Sequence, residues 1–181
     1  VNPHSSRAAT VRNLPIRPPQ LRAEDADAVA GQHTHGDFTR FNYRLTRLQR
    51  LYGNLFAYAG LEGQQANKNL GSSEKMLLGG PNAVRGYSAN EAPVDEGHLI
   101  NAELRYALPH DLTALTFYDW GKGKQAQDPL AAMSGNTITL RSYGLGLNYS
   151  NRSGFSAKAT VGWRDGSYHP TVKPDRDPGF T

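Results

Sequence analysis

The chain has 181 residues, of which 38% are hydrophobic, and its 20 Lys and Arg exceed its 16 Asp and Glu, giving a formal net charge of +4. No stretch of about 18 consecutive apolar residues occurs, which excludes a transmembrane helix, and the lack of cysteine excludes disulfides and thiolate chemistry. Transmembrane β-strands are not excluded, because each needs only about 9 to 11 residues of which every second one is apolar.

Residues 1–35 show no pattern of a regular element. Pro15, Pro18 and Pro19 oppose both helix and strand, and the run that follows them is short, charged and rich in alanine. We therefore expect a poorly ordered linker or a truncated strand. The chain has neither an initiator methionine nor a signal peptide, so we also expect either a mature chain or a fragment.

The segment from residue 38 to residue 52 fits two periodicities. Phe41, Tyr43 and Leu45 alternate with polar residues, as is typical of a strand. The same segment also places apolar residues on one face of a helix and arginines on the other. A basic amphipathic helix would indicate binding to nucleic acid or to a membrane surface, whereas a strand would turn the arginines toward a barrel interior. The periodicity leaves both interpretations open.

From residue 54 onward, five segments follow a two-residue period and are predicted strands. Their approximate bounds are 54–65, 99–108, 112–121, 142–150 and 155–164. Asn151 to Gly154 is predicted to form a tight turn that joins the last two segments as a hairpin. With the segment before residue 54 counted as a strand, about six strands are predicted.

The alternation alone would also fit a soluble β-sandwich. Aromatic residues near the ends of the apolar stripes, and Gly, Ser and Thr on the opposite face, favour a barrel with lipid on one side and a hydrated interior on the other. The predicted fold is therefore all-β, an antiparallel meander from a transmembrane β-barrel. About six strands are fewer than the eight of the smallest barrels, so we expect the barrel to be incomplete.

A long polar segment in the middle of the chain carries the most specific motifs. Residues 74–97 are too rich in Gly, Pro and Asn for a strand, and a loop of this length usually has a function. The order is GDFTRFNYRLTRLQRL, EKMLLGG, VRGY, DEG, NAELRY and FYDWG. In this order and spacing, the motifs resemble the two-partner-secretion transporters (TpsB), the haemolysin-activator and filamentous-haemagglutinin family of ShlB/FhaC/HecB type. The similarity covers roughly residues 36 to 163.

The resemblance implies that residues 36–164 are the C-terminal portion of a sixteen-stranded transmembrane barrel. It implies that residues 79–97 form a long loop folding back into the barrel, and that residues 165–181 form a tail leading to a missing final strand. The VRGY residues would form the loop tip and the F-x-D-x-G residues would lie on a neighbouring strand of the wall. The tip would be Val84, Arg85, Gly86 and Tyr87, and the wall motif Phe117, Asp119 and Gly121.

In this family the motif arginine meets the motif aspartate, so the resemblance implies an ion pair between Arg85 and Asp119. The alternation agrees with this pairing, because outward-facing Tyr118 and Trp120 would turn Asp119 toward the interior. Tyr87 departs from the commoner VRGF form and adds a hydroxyl that needs a partner.

The resemblance implies a pore of the bacterial outer membrane that secretes a large unfolded exoprotein of TpsA type. The partners would be that exoprotein and outer-membrane lipid, with no nucleic acid, no small-molecule substrate and no cofactor. No catalytic constellation indicates an enzyme, and the His33/His35 pair lacks a third metal ligand, so no metal site is predicted. Two alternatives stay open: an outer-membrane barrel insertase with POTRA domains, and a soluble basic β module that binds nucleic acid.

Overall fold

The computed structural model describes residues 38–128, 135–172 and 177–180, and every regular element within these ranges is a β-strand. Across those ranges, no helix is long and apolar enough to cross a membrane. The linker predicted over residues 1–35, with His33 and His35, lies outside the described residues.

Seven strands form one sheet and two short strands pair separately. The bounds are β1 Arg40–Tyr52, β2 Leu55–Ala66, β3 Met76–Leu77, β4 Pro93–Val94, β5 Glu96–Ala107, β6 Leu112–Lys124, β7 Thr137–Ser150, β8 Ser156–Arg164 and β9 Gly179–Phe180. The sheet has the order β1-β2-β5-β6-β7-β8-β9, each neighbour pair is antiparallel, and β3 pairs with β4. Because six of these strands are long, the predicted antiparallel meander of about six strands is confirmed.

The structure resolves the ambiguity of the first segment. β1 pairs with β2 along its whole length, from Arg40 opposite Ala66 to Tyr52 opposite Leu55. The helical interpretation of this segment was wrong, because a neighbouring strand supplies ladder hydrogen bonds and periodicity cannot reveal a partner. The predicted hairpin between β7 and β8 is confirmed, with Ser150 opposite Ser156.

Several predicted boundaries were wrong. β6 continues to Lys124 and β7 begins at Thr137, because these two residues pair with each other beyond the clear apolar alternation. In the segment predicted to be loop only, β3 and β4 pair with each other and β5 already begins at Glu96, so the loop ends before residue 97. The 165–181 tail, for which no strand was predicted, contains β9, whose Gly179 pairs with Gly162.

The two ends of the sheet differ in the length of their connections. One end has the tight turns between β1 and β2, β5 and β6, and β7 and β8. The other end carries the long connections after β2, β6 and β8, and we call residues 67–95, the first of them, the loop. Short turns at one end and long loops at the other are typical of outer-membrane barrels.

The sheet has one open face and one covered face. On the open face, several large apolar or aromatic side chains are between 43% and 58% exposed, among them Leu45, Ile100, Leu104, Tyr106, Tyr118, Tyr143, Leu145 and Leu147. Soluble monomers rarely expose an apolar patch of this extent, so the open face argues against a sandwich. On the covered face, the half nearest the long connections carries a packed core that includes residues of the loop. That core comprises Leu78, Val84, Tyr87, Ala92, Val94, Leu99, Ile138 and Leu140.

Candidate functional site

The loop reverses direction just before its tip and presents the VRGY residues to the covered face. The Gly80 amide donates to the Val84 carbonyl at 3.2 Å, and the Val84 amide donates to the Leu78 carbonyl at 2.9 Å. Gly80 has a φ of +130°, which a residue with a side chain rarely adopts. This tight reversal fixes Val84 in the core, where it is fully buried, and directs Arg85 toward the wall.

The structure brings Arg85 and Asp119 together in a bidentate ion pair. Arg85 Nε and Nη2 donate to the two carboxylate oxygens of Asp119, each at 2.7 Å, and the Arg85 amide adds a hydrogen bond of 3.1 Å. The guanidinium is 3% exposed and the carboxylate 0%. Asp119 faces the loop because β6 alternates, with Phe117 and Gly121 on the same covered face.

A second carboxylate, Glu103 on β5, completes the site. Its Oε1 accepts from Arg85 Nη1 at 2.6 Å and its Oε2 accepts from Arg105 Nε at 2.6 Å. Burial alone would lower the pKa of the Arg85 guanidinium, but Asp119 and then Glu103 outweigh burial and raise that pKa. The cation is thus held between two anions of the wall.

Sequence reasoning gave no role to Glu103, although the NAELRY motif contains it. The alternation of β5 places Asn101, Glu103 and Arg105 on one face, so the signal was present. What the sequence does not provide is the register, which sets Glu103 opposite Phe117 and Asn101 opposite Asp119.

Two neutral side chains, Phe117 and Asn101, make further contacts with the ion pair. The Arg85 guanidinium carbon lies 3.6 Å from the centroid of the Phe117 ring, a cation–π contact with the motif phenylalanine. Asn101 Nδ2 contacts both the Ala83 carbonyl at 2.9 Å and Asp119 Oδ1 at 2.8 Å, so it joins the loop backbone to the wall carboxylate.

Gly86 lets the loop backbone touch the sheet. Its φ is +88°, and a Cβ added there would lie 3.1 Å from the carbonyl oxygen of Gly162. A Cβ on Gly179 would meet Gly86 Cα at 2.7 Å, so three glycines meet at one point. Gly121 of the wall motif has the same role toward Val84, whose Cγ2 would lie 3.0 Å from an added Cβ.

Tyr87 ends the motif and is 3% exposed. Its hydroxyl donates to the Arg141 carbonyl at 3.3 Å, which supplies the partner that the sequence required. The Arg164 guanidinium carbon lies 5.3 Å from the Tyr87 ring, and Arg164 Nε donates to the Gly86 carbonyl at 3.0 Å. All seven residues singled out from the sequence therefore lie in one connected site.

A polar cavity of about 350 Å³ lies beside this site, between the turn of the loop and the covered faces of β1, β2, β5 and β8. Its lining includes Arg44, Tyr58, Glu62, Asn82, Arg105 and Lys158. In the part of the chain that the structure describes, no group of three or more His, Asp or Glu residues could hold a metal ion.

Comparison with known proteins places the chain in a secretion family. The family model described as haemolysin secretion/activation protein ShlB/FhaC/HecB matches residues 18–164. A relative named heme/hemopexin transporter protein HuxB, from Haemophilus influenzae strain 86-028NP, is 42% identical over 130 residues, covering 68% of this chain and 23% of the relative. A second Haemophilus influenzae protein of that name is 39% identical over 148 residues, covering 78% of this chain and 26% of the relative. This chain therefore spans about a quarter of the length of these relatives, and no solved structure matches it significantly.

Proposed function

The chain belongs to the haemolysin secretion/activation family ShlB/FhaC/HecB, the TpsB transporters of two-partner secretion, and from this premise we propose that it forms part of the wall of an outer-membrane secretion pore. The observation that carries the proposal is the Arg85–Asp119 ion pair. It joins the loop to the covered face of the sheet, which is the arrangement expected of a loop folded into a barrel.

The open face supports a position in lipid. On the open face, Leu104, Leu145 and Leu147 lie between two groups of aromatic rings. Tyr118, Tyr143 and Trp163 are cross-strand neighbours, and Tyr143 stacks on Trp163 with ring centroids 6.0 Å apart. Toward the short turns, the Tyr149 and Phe155 rings are also 6.0 Å apart. Apolar bands flanked by aromatic girdles are typical of barrels in the outer membrane.

The contacts on the covered face support the proposal that the pore is closed in this structure. The loop is held on the covered face by a buried ion pair, and such a pair is costly to break because it leaves an uncompensated charge. Beside it, the polar cavity offers charged and hydrogen-bonding side chains, which suit a path for an extended polypeptide. In this proposal, secretion requires that the loop shift within the barrel or leave it.

The partner is proposed to be an exoprotein that the full-length protein carries across the membrane in an extended form. The sequence resemblance implied an exoprotein of haemolysin or haemagglutinin type. The names of the relatives favour a heme/hemopexin-related exoprotein as the narrower choice.

The test uses the full-length parent protein in its own outer membrane, with the exoprotein measured in the medium. We expect the parent to fractionate with the outer membrane and Arg85→Ala to lower secretion strongly. Arg152→Ala is the matched control, because Arg152 is an exposed arginine in the turn at the opposite end of the sheet. Secretion unaffected by Arg85→Ala would refute the role of the ion pair. Loss of other barrel proteins from the membrane, with normal secretion, would instead indicate an insertase.

A further inference from the structure

A second buried carboxylate fastens the loop to a different part of the chain. Glu91 is 0% exposed. Its Oε1 accepts hydrogen bonds from the Tyr168 hydroxyl at 2.8 Å and from the Thr171 amide and hydroxyl at 2.9 and 2.8 Å. Its Oε2 accepts from the Val172 amide at 3.0 Å. Four hydrogen bonds from the segment that follows β8, residues 165–172, thus converge on one side chain of the loop.

The backbone of Glu91 is itself held inside the loop. Its carbonyl accepts from the Gly79 amide at 3.1 Å, and the neighbouring Ala92 carbonyl accepts from the Leu78 amide at 3.3 Å. A Cβ on Gly79 would lie 2.6 Å from Glu91 Cβ, so the two stretches of the loop are in close contact. Movement of Glu91 away from the sheet must either break its four hydrogen bonds or carry residues 165–172 along.

This fastening is separate from the Arg85 site. Arg85 contacts carboxylates on β5 and β6, whereas the partners of Glu91 all follow β8. The two regions touch where the Tyr87 and Tyr168 rings meet edge to face, with centroids 6.1 Å apart. Tyr168 also packs on the core beneath the loop.

The Glu91 carboxylate is charged at neutral pH. Burial alone would raise its pKa, but the hydrogen bonds from the Thr171 and Val172 amides, and then from the hydroxyls of Thr171 and Tyr168, outweigh burial and lower it. Hydrogen bonds to a charged acceptor are stronger than those to a neutral one.

We propose that Glu91 is a positioning residue that clasps residues 165–172 onto the loop, and that this clasp opens before the loop leaves the covered face to admit the exoprotein. The clasp itself stands on the contacts above. Its opening during secretion rests on the proposed function. The clasp is a contact between two of the long connections, so it would control the loop from the end of the sheet opposite to the short turns.

Hydrogen exchange tests whether the clasp exists in the full-length protein in detergent. In Glu91→Gln, a neutral amide replaces the charged acceptor, and we expect the amides of Thr171 and Val172 to exchange about tenfold faster or more. The Arg85 amide, which donates to Asp119, should keep its exchange rate. Glu62→Gln is the matched control, because Glu62 is partly exposed and pairs with Arg44 on the wall. Unchanged exchange at residues 171 and 172 would overturn the clasp.

A milder change covers the case in which Glu91→Gln does not fold. Tyr168→Phe with Thr171→Val removes the two hydroxyl donors and keeps the buried carboxylate and both amide donors. Faster exchange of residues 171 and 172 is expected here too, by a smaller factor. Exchange equal to that of the unaltered protein would count against the clasp.

Crosslinking tests whether the clasp opens during secretion. The chain has no cysteine, so Glu91→Cys with Thr171→Cys introduces one defined pair, in a full-length parent from which any other cysteine has been removed. A short, reducible bifunctional thiol reagent that joins the two positions should stop secretion, and reductant should restore it. Each single-cysteine variant, treated in the same way, is the control. Full secretion by the crosslinked protein would overturn the opening step. If the unaltered full-length protein does not secrete an exoprotein, the proposed function is overturned. The hydrogen-exchange evidence for the clasp is unaffected by that outcome.

Discussion

Arg85 and Asp119 lie 34 residues apart in the chain and meet side chain to side chain through two hydrogen bonds of 2.7 Å. Glu103 gives the guanidinium a second anionic partner at 2.6 Å. The two carboxylates come from adjacent strands, β6 and β5, so the ion pair depends on the register between those strands. Loss of Asp119 and loss of Glu103 therefore have different consequences. Asp119 binds both the side chain and the backbone amide of Arg85, whereas Glu103 binds the Arg85 side chain through one oxygen.

Asp119→Ala is expected to destabilise the full-length protein by about 3–5 kcal/mol, because it leaves the buried Arg85 with one carboxylate and an unpaired amide. Glu103→Ala should cost less, since Asp119 retains its bidentate contact. Denaturant unfolding followed by tryptophan fluorescence measures both. Glu62→Ala, which removes a partly exposed partner of Arg44, is the control and should cost about 0–1 kcal/mol. Equal effects of Asp119→Ala and Glu62→Ala would contradict the prediction.

Gly86→Ala is expected to be more harmful than Gly154→Ala, although both glycines have nearly the same φ, +88° and +89°. A Cβ at residue 154 meets nothing within 4 Å, so only the backbone strain of about 1–2 kcal/mol applies. At residue 86 the Cβ approaches the Gly162 carbonyl at 3.1 Å, which adds about 1–3 kcal/mol of overpacking. Unfolding free energies of the two variants give the comparison, and equal values would show that the close approach has no energetic weight.

Tyr87→Phe is expected to be mild. Its hydroxyl makes one long hydrogen bond of 3.3 Å to the Arg141 carbonyl, so removal should cost about 0.5–1.5 kcal/mol. Tyr87→Ala removes a buried ring from the core beneath the loop and should cost about 3–5 kcal/mol. The same unfolding assay separates the two changes. A Phe variant as unstable as the Ala variant would assign the hydroxyl a larger role than its geometry supports.

Acid should release residues 165–172 from the loop. The folded-state pKa of Glu91 lies below its ordinary value of 4.5. The Glu91 carboxylate therefore binds a proton more readily when the clasp is open than when it is closed. The contribution of Glu91 is therefore fully present above about pH 4.5 and is lost as the pH falls through the lower folded pKa. Protease cleavage within residues 165–172 measures the opening. Glu91→Gln should remove most of this pH dependence, and a variant with the full acid response would contradict the prediction.

Leu145→Arg tests the assignment of the open face to lipid. Leu145 is 58% exposed in the structure, so in water an arginine would be tolerated there. In a bilayer the same charge on the open face should cost about 2–4 kcal/mol, and Ser150→Arg at the end of β7 should cost about 0–1 kcal/mol. Assembly into the outer membrane, followed by heat-dependent migration on a gel, is the readout. Normal assembly of Leu145→Arg would argue for a soluble sheet.

The sequence predicted the strands well and the loop poorly. Alternation identifies a strand such as Phe155 to Arg164 because each side chain's face follows from its position alone. It cannot show that β3 and β4 pair across the loop, because that pairing joins residues 76–77 to 93–94 without any periodic pattern. The Arg85 and Asp119 positions followed from a family resemblance. Glu103 and Glu91 did not, because their roles depend on register and on a distant segment.

The meeting of Gly86 with Gly162 and Gly179 bears on how the sheet reaches its correct alignment. A slip of the β7–β8 hairpin by two residues keeps every side chain on its proper face, so the apolar pattern cannot detect it. Such a slip would bring Thr160 or Arg164 to the place of Gly162, and either side chain would push the loop backbone off the sheet. The loop can therefore dock on the sheet only when β8 is correctly aligned. A chain with a misaligned β8 would be left with an undocked loop.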